Sequence, residues 1–227
     1  MSLMPPPVLV LGGRGDIGSA IAERFTEAGH YVVVVGRADF DLSDPASVQA
    51  WFDRPHPEFG ILVHSAGLNN PKPFADLTDG EIQECFAANV EGFLQVTRRV
   101  LPELVPMRGR IVVLSSIFGF LSRAGRLPYS MSKHALIGIV KSLAIELAPD
   151  GVLVNAVSPG YIDTKLTRAN NDDATIARLT SSIPLARLGL PADIAEVAYF
   201  LCSAGNQYIT GQDIVVDGGF SIDGGRT

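Results

Sequence analysis

Cysteine is scarce: Cys85 and Cys202 are the only two in 227 residues, far apart and with no Cys-x-x-Cys pair. Neither a disulfide framework nor a thiolate metal site is expected, and both read as reduced core thiols. Charge is sparse as well, at 19% of residues, with 18 Lys+Arg against 24 Asp+Glu for a net of −6. The basic residues are scattered, which argues against a nucleic-acid backbone and against a membrane surface as partners. No apolar run reaches the roughly 20 residues of a membrane span. The segment Met1 to Pro7 has neither the basic start nor the apolar stretch of a signal peptide, so a cytoplasmic protein is the expectation. Linkers, low-complexity tracts and short-period repeats are lacking too.

What is present suits one large α/β domain covering 1–227. The chain is 47% hydrophobic with a mean hydropathy of +0.24, as a sheet buried on both faces requires, and 23 glycines imply many tight turns. Val8 to Leu11 is a short apolar strand that meets a glycine cluster. After it Ile17, Ala20, Ile21 and Phe25 recur at helical spacing until Ala28-Gly29. Tyr31 to Val35 reads as the parallel second strand. Asp44-Pro45 then reads as an N-cap with proline at N1 for a helix through Trp51-Phe52. Too little chain lies between Arg37 and Ser43 for a crossover helix and a further strand, so the sheet edge beside the second strand should be truncated.

Downstream, Ile61 to Val63, Arg110 to Leu114, Val152 to Val157 and Ile214 to Val216 read as strands. A capping box at Thr78 to Glu81 starts a helix running through Phe86, Val90, Phe93 and Val96 toward Leu101. Further helices are expected over Tyr129 to Ala148, Ala192 to Leu201 and, more weakly, Asp172 to Thr180. Alternating strands and helices give a doubly wound parallel sheet flanked by helices.

Two patterns carry chemistry. Gly12-Gly13-Arg14-Gly15-Asp16-Ile17-Gly18 lies between the first strand and its helix, where backbone can approach a phosphate and free helix N–H groups can point at it. A ligand-free glycine turn would look the same, and a P-loop is excluded by the missing Gly-Lys-Ser/Thr. Ser116 ends a strand, and Tyr129 and Lys133 stand four apart at a helix start. One turn of about 5.4 Å brings the last two onto one face. A phenol with a pKa of about 10 is a poor acid-base catalyst, but a nearby ammonium favours its ionised form and would bring it toward neutral pH. A bare Tyr-x-x-x-Lys also fits an ordinary amphipathic helix.

Taken in order along the chain, these segments together with Ser65-Ala66-Gly67, Asn89, Pro159-Gly160, Thr164, Ile209 to Gln212 and Val216 to Gly219 resemble the short-chain dehydrogenase/reductase family. The thirteen-residue step from Ser116 to Tyr129 is that family's usual one. The resemblance implies a Rossmann-like fold and a reaction between a nicotinamide cofactor and a ketone or secondary alcohol. It implies that Tyr129 exchanges the proton and Ser116 polarises the carbonyl. Lys133 would bind the nicotinamide ribose and tune Tyr129, and Asn89 would sustain a water relay. Cofactor contacts would come from Gly12, Arg14, Gly15, Asp16, Ile17, Gly18, Ser65, Ala66, Gly67, Pro159, Gly160, Ile162 and Thr164, as well as Tyr129 and Lys133, with Asp41 and Leu42 walling the adenine. No metal is implied.

Gly36 ends the second strand where an acidic residue would accept NAD ribose hydroxyls, and Arg37 follows, with Arg14 a second cation; NADP(H) is therefore expected over NAD(H). Three departures from the family pattern stand out. Asp16 replaces a loop glycine and would repel pyrophosphate unless directed away. His64 stands where the family commonly has asparagine. The shortcut after Arg37 should leave a more open adenine pocket. Lys165 to Gly189 corresponds to the variable substrate lid, with a composition suited to a mobile loop. Phe118, Phe120 and Leu121 are candidate apolar pocket residues, and Arg123, Arg126 and Arg168 candidate contacts for an acidic substrate, with core packing and solvated surface as the alternatives. The closing stretch from Arg187 to Gly219 resembles the 3-oxoacyl-carrier-protein reductase branch, which suggests a 3-oxoacyl thioester or another ketone. The resemblance also implies a homotetramer or homodimer, with a monomer as the alternative. Two competing functions remain: a noncatalytic NADP-binding regulator on the same fold, and a sugar-nucleotide epimerase, disfavoured by the short chain.

Overall fold

In a computed structural model of the chain, residues 5–223 are described; the first residues of the segment read for a leader, Met1 to Met4, lie outside them. Six strands form one parallel sheet in the order β2-β1-β3-β4-β5-β6. They are β1 (Val8–Leu11), β2 (Val32–Val35), β3 (Ile61–His64), β4 (Arg110–Leu114), β5 (Leu153–Pro159) and β6 (Asp213–Val216). Helices α1 (Asp16–Glu27), α2 (Pro45–Phe52), α3 (Asp79–Phe86), α4 (Gly92–Leu104), α5 (Leu127–Leu147) and α8 (Pro191–Cys202) cover its faces, and α6 (Lys165–Ala169) and α7 (Asp173–Ser181) lie in the lid segment.

Because successive strand side chains point to opposite faces, each strand feeds two cores. Leu9 and Leu11 of β1 pack with Phe93, Val96 and Val100 of α4 and Leu136 and Val140 of α5. Val8 and Val10 pack on the other face with Ile21 and Phe25 of α1 and Ile194, Ala198 and Leu201 of α8. The central strands are thus apolar throughout, and the sheet is the doubly wound one expected from the alternation of elements.

Among the described residues no strand lies beyond β2, which pairs there with β1 alone. The truncated edge follows from the short Arg37 to Ser43 segment, which turns directly into α2, where Asp44 accepts from the Ala46 amide at 2.9 Å. Several boundaries differ from the sequence expectation, among them β5, which runs on through Ser158 to Pro159. The helix read as continuous from Thr78 toward Leu101 is broken by a π turn over Ala87–Glu91. Helix α5 begins at Leu127, with Pro128 in its first turn, and so includes Tyr129. Helix α8 begins at Pro191. The weakly expected helix over Asp172 to Thr180 is present as α7, and α6 is added before it, because Thr164 and Asp172 supply side-chain caps to the Thr167 and Thr175 amides. Among the described residues no helix is long and apolar enough to cross a membrane.

Candidate active site

The carboxyl ends of the central strands open on a groove, as in other parallel sheets where adjacent connections leave on opposite faces. It consists of two adjoining cavities of about 260 and 460 Å³ that share Gly15, Ser65, Ala66 and Gly67.

The middle of the groove is built for close backbone approach. Gly12 has φ +73°, and a Cβ there would lie 2.5 Å from the Ala66 amide nitrogen, so the turn after β1 nests on the end of β3 only with glycine. Gly15 is the N-cap of α1 and offers no side-chain cap, leaving the first-turn amides of Asp16, Ile17 and Gly18 at the groove. Asp16 does not oppose them: its Oδ2 accepts from the Lys165 amide at 2.6 Å, so the carboxylate is directed to the start of the lid.

The smaller cavity lies at the end of β2 and contains Arg37, Asp41 and Leu42. Sequence reasoning missed Phe40, Leu68, Glu84 and Ala88 in its wall. Arg14 packs on Gly36, where a Cβ would come within 2.9 Å of the arginine Cδ, so a longer residue at 36 would displace the arginine side chain. The Arg14 guanidinium grips Asp39, Nη2 donating to both carboxylate oxygens at 2.9 Å. Asp39 also accepts from the Gly36 amide at 2.8 Å. That backbone donor and the Arg14 charge hold its carboxyl below the usual range, although its partial burial works against them. Asp39 was not singled out in the sequence; its place three residues after Gly36, where it closes the turn, was the available signal. Arg37 is more loosely held, 3.5 Å from Asp41 and 3.8 Å from Glu84. The Ser43 hydroxyl and amide keep the Asp41 carboxyl low.

The larger cavity brings Ser116, Tyr129 and Lys133 together with Pro159, Gly160, Ile162 and Thr164. Ser116 caps the turn after β4, its Oγ accepting from the Phe118 amide at 3.2 Å. Lys133 is 4% exposed, and its Nζ donates to the Leu114 carbonyl at 2.6 Å and lies 5.5 Å from the Tyr129 ring centroid. Burial pushes its pKa down to about 8. Burial raises the Tyr129 pKa, while a hydrogen bond from Ser116 and the charge of Arg126 pull it back. The Lys133 ammonium expected to acidify the phenol is engaged by the Leu114 carbonyl, and burial opposes the ionised phenol. Phe118 lines the cavity, whereas Phe120 and Leu121 are exposed outside it.

Asn89 lies behind the groove, fully buried in the π turn. Its amide clamps the chain after β3, Oδ1 accepting from the Leu68 amide at 2.6 Å and Nδ2 donating to the Leu68 carbonyl at 3.0 Å and to Ser132 Oγ at 2.9 Å. The Asn89 carbonyl is 3.1 Å from His64 Nε2, which must be the protonated nitrogen because a carbonyl only accepts. His64 Nδ1 is then buried without a partner. Burial, followed by the Lys133 charge, drives the His64 pKa down to about 3, so the ring is neutral at ordinary pH. Among the described residues no cluster of three or more metal-binding side chains occurs.

The arrangement can hold an extended polyanion along the groove. Uncapped helix amides face its middle, two guanidinium groups face one end, and a hydroxyl, a phenol and an ammonium face the other.

A family model described as enoyl-(acyl carrier protein) reductase matches residues 13–221. The chain is 35% identical to the 3-oxoacyl-[acyl-carrier-protein] reductase FabG of Aquifex aeolicus (strain VF5), over 93% of this chain and 95% of that protein. Among solved structures it resembles the aldohexose dehydrogenase of Thermoplasma acidophilum in ligand-free form, with a TM-score of 0.89 and 30% identity over 96% of this chain and 94% of that one. It also resembles a gluconate 5-dehydrogenase from Burkholderia cenocepacia J2315 in complex with NADP and tartrate, with a TM-score of 0.85 and 26% identity over 96% of both chains.

Proposed function

Because the chain belongs to the short-chain dehydrogenase/reductase family, in its 3-oxoacyl-carrier-protein reductase-like branch, we propose that it is an NADP(H)-dependent oxidoreductase interconverting a ketone and a secondary alcohol. A 3-oxoacyl thioester is one such ketone, as the name of its Aquifex relative suggests. The observation that carries the reading is the meeting of Ser116, Tyr129 and Lys133 in one cavity with the uncapped start of α1. The cofactor is favoured as NADP(H) by the two cations at the end of β2 and by the NADP bound to the gluconate 5-dehydrogenase neighbour.

The glycine turn and the α1 amides would hold the dinucleotide phosphates, and Arg14 and Arg37 the extra phosphate of its adenosine half; when bound, the cofactor would supply a hydride for the carbonyl carbon. Ser116 Oγ donates a hydrogen bond to the substrate oxygen, and Tyr129 delivers the proton that the oxygen gains. Lys133 holds its ammonium beside the ring. Asn89 acts from behind by fixing the Leu68 backbone and the α5 start rather than by touching the substrate.

The catalytic unit is a single domain with residues 165–189 as lid, working in the cytoplasm as a homotetramer or homodimer; light scattering tests the assembly. The function is tested by following NADPH oxidation across ketones, 3-oxoacyl thioesters and keto sugars. Turnover of one class with secondary-alcohol product is expected. Tight NADPH binding without turnover of any would overturn the enzyme reading in favour of a regulator, and isomerisation without net cofactor conversion would favour an epimerase.

A further inference from the structure

Some arginines have an acidic partner and others only neutral acceptors, as Arg99 has in Gln49 and Arg110 in the Asn206 carbonyl. Arg14, Arg24, Arg37, Arg168 and Arg187 each lie within ion-pair distance of a carboxylate. Arg123 and Arg126 have none among the described residues, yet both line the larger cavity with Tyr129. Arg126 is half-buried at the N-cap of α5, and its Nη1 donates to a neutral acceptor, Asn69 Oδ1, at 2.6 Å. A partly desolvated guanidinium held by a neutral amide beside a second cation is an unfavourable arrangement unless an anion joins it.

The loop that carries the pair is anchored. The Lys72 amide donates to the Gly125 carbonyl at 3.0 Å, and Lys72 is itself tied to Glu81 at 2.9 Å. Burial lowers the Arg126 pKa, and the Arg123 charge lowers it further, consistent with a shared positive site. Asp16, an acidic residue of the same cavity, is engaged by the Lys165 amide and does not neutralise the pair. The lid side offers the uncharged Asn170 and Asn171.

We propose that Arg126, seconded by Arg123, forms an anion-recognising subsite of the substrate cavity, so that the carbonyl substrate carries a carboxylate or a phosphate. Arg126 supplies a positioned fork for two anionic oxygens, and Asn69 fixes that fork before the substrate arrives. The inference rests on the oxidoreductase reading for its choice of substrate, but the subsite can be measured by binding alone.

The test uses two matched pairs with NADPH: acetoacetate against ethyl acetoacetate, and dihydroxyacetone phosphate against dihydroxyacetone. The charged member of at least one pair should have a kcat/KM about tenfold or more above its neutral partner, and Arg126→Gln should erase that ratio mainly by raising KM. Arg123→Gln, whose side chain is exposed, should lower the ratio in the same direction but less, and covers the case in which the Arg126 variant does not fold. The pair that shows the preference identifies carboxylate or phosphate as the preferred group. Equal or better use of both neutral members, or an unchanged ratio in both variants, would overturn the subsite while leaving the oxidoreductase standing. If none of the four is turned over, calorimetric titration of acetoacetate and dihydroxyacetone phosphate into the NADP-loaded protein decides. Binding lost in Arg126→Gln supports the subsite, and no binding of either anion to the wild type contradicts it.

Discussion

Removing Arg14 should change cofactor choice more than cofactor affinity in general. Its guanidinium packs on Gly36 and grips Asp39 with bonds of 2.9 to 3.1 Å, at the end of β2 where the second ribose hydroxyl of an adenosine half would lie. A phosphate on that hydroxyl competes with Asp39 for the fork. The side chain is 61% exposed, so solvent screening reduces the pairing from the 1.5 to 3 kcal/mol of a protected charged hydrogen bond to about 1 kcal/mol. Arg14→Ala should therefore raise the NADPH dissociation constant by about fivefold and that of NADH by less than about twofold. Arg37→Ala should act in the same direction with a smaller effect, since its present partners lie at 3.5 and 3.8 Å. Asp39→Asn has the opposite sign. It keeps an acceptor for the Gly36 amide but removes the competing charge, and should tighten NADPH by about two- to fivefold, the worth of an exposed ion pair. Fluorescence titrations with both cofactors, at low and at high salt, read all three variants; the NADPH effects should shrink at high salt. Equal losses for NADPH and NADH in Arg14→Ala, or weaker NADPH binding in Asp39→Asn, would refute the reasoning.

Two further perturbations follow from buried or bridging groups. His64 has a folded pKa of about 3 against an ordinary 6.5, so the unfolded chain binds the extra proton between those values, and stability falls as pH drops below 6.5. By pH 5 this amounts to about 2 kcal/mol, or roughly 4 to 8 °C in Tm for a chain of this size. His64→Asn should remove that part of the acid sensitivity, and calorimetric melts at pH 5 and pH 7 that lose the same Tm in both proteins would count against it. Asp16→Ala should free the lid: amide exchange across 165–171 is expected to speed by about tenfold, the worth of one charged hydrogen bond, with the global melt little changed. Unaltered exchange there would show that the lid does not depend on Asp16.

The sheet was legible because its strands are nearly continuous apolar runs and its helices have marked caps. The missing edge strand could be foreseen because nothing between Arg37 and Ser43 is long enough for a crossover. Ser116, Tyr129 and Lys133 could be grouped because a helical turn brings two of them together and the strand end supplies the third. What escaped the sequence were features set by tertiary contact. The π turn at Asn89 is a one-residue register change that helical periodicity barely senses. The Arg14–Asp39 grip joins residues 25 apart, and the Asp16–Lys165 bond joins residues 149 apart. The burial that opposes ionisation of Tyr129 escaped too, because charge proximity can be inferred from spacing, whereas desolvation depends on the whole packed environment.

The account turns on Tyr129 as the proton donor beside bound cofactor, and Tyr129→Phe examines that with NADPH affinity and turnover measured on the same protein. The NADPH dissociation constant should stay within about threefold of wild type while kcat/KM for the carbonyl substrate falls by about 10² to 10⁴, the usual contribution of a positioned acid. Turnover at the wild-type rate, with an unchanged pH profile, would contradict it.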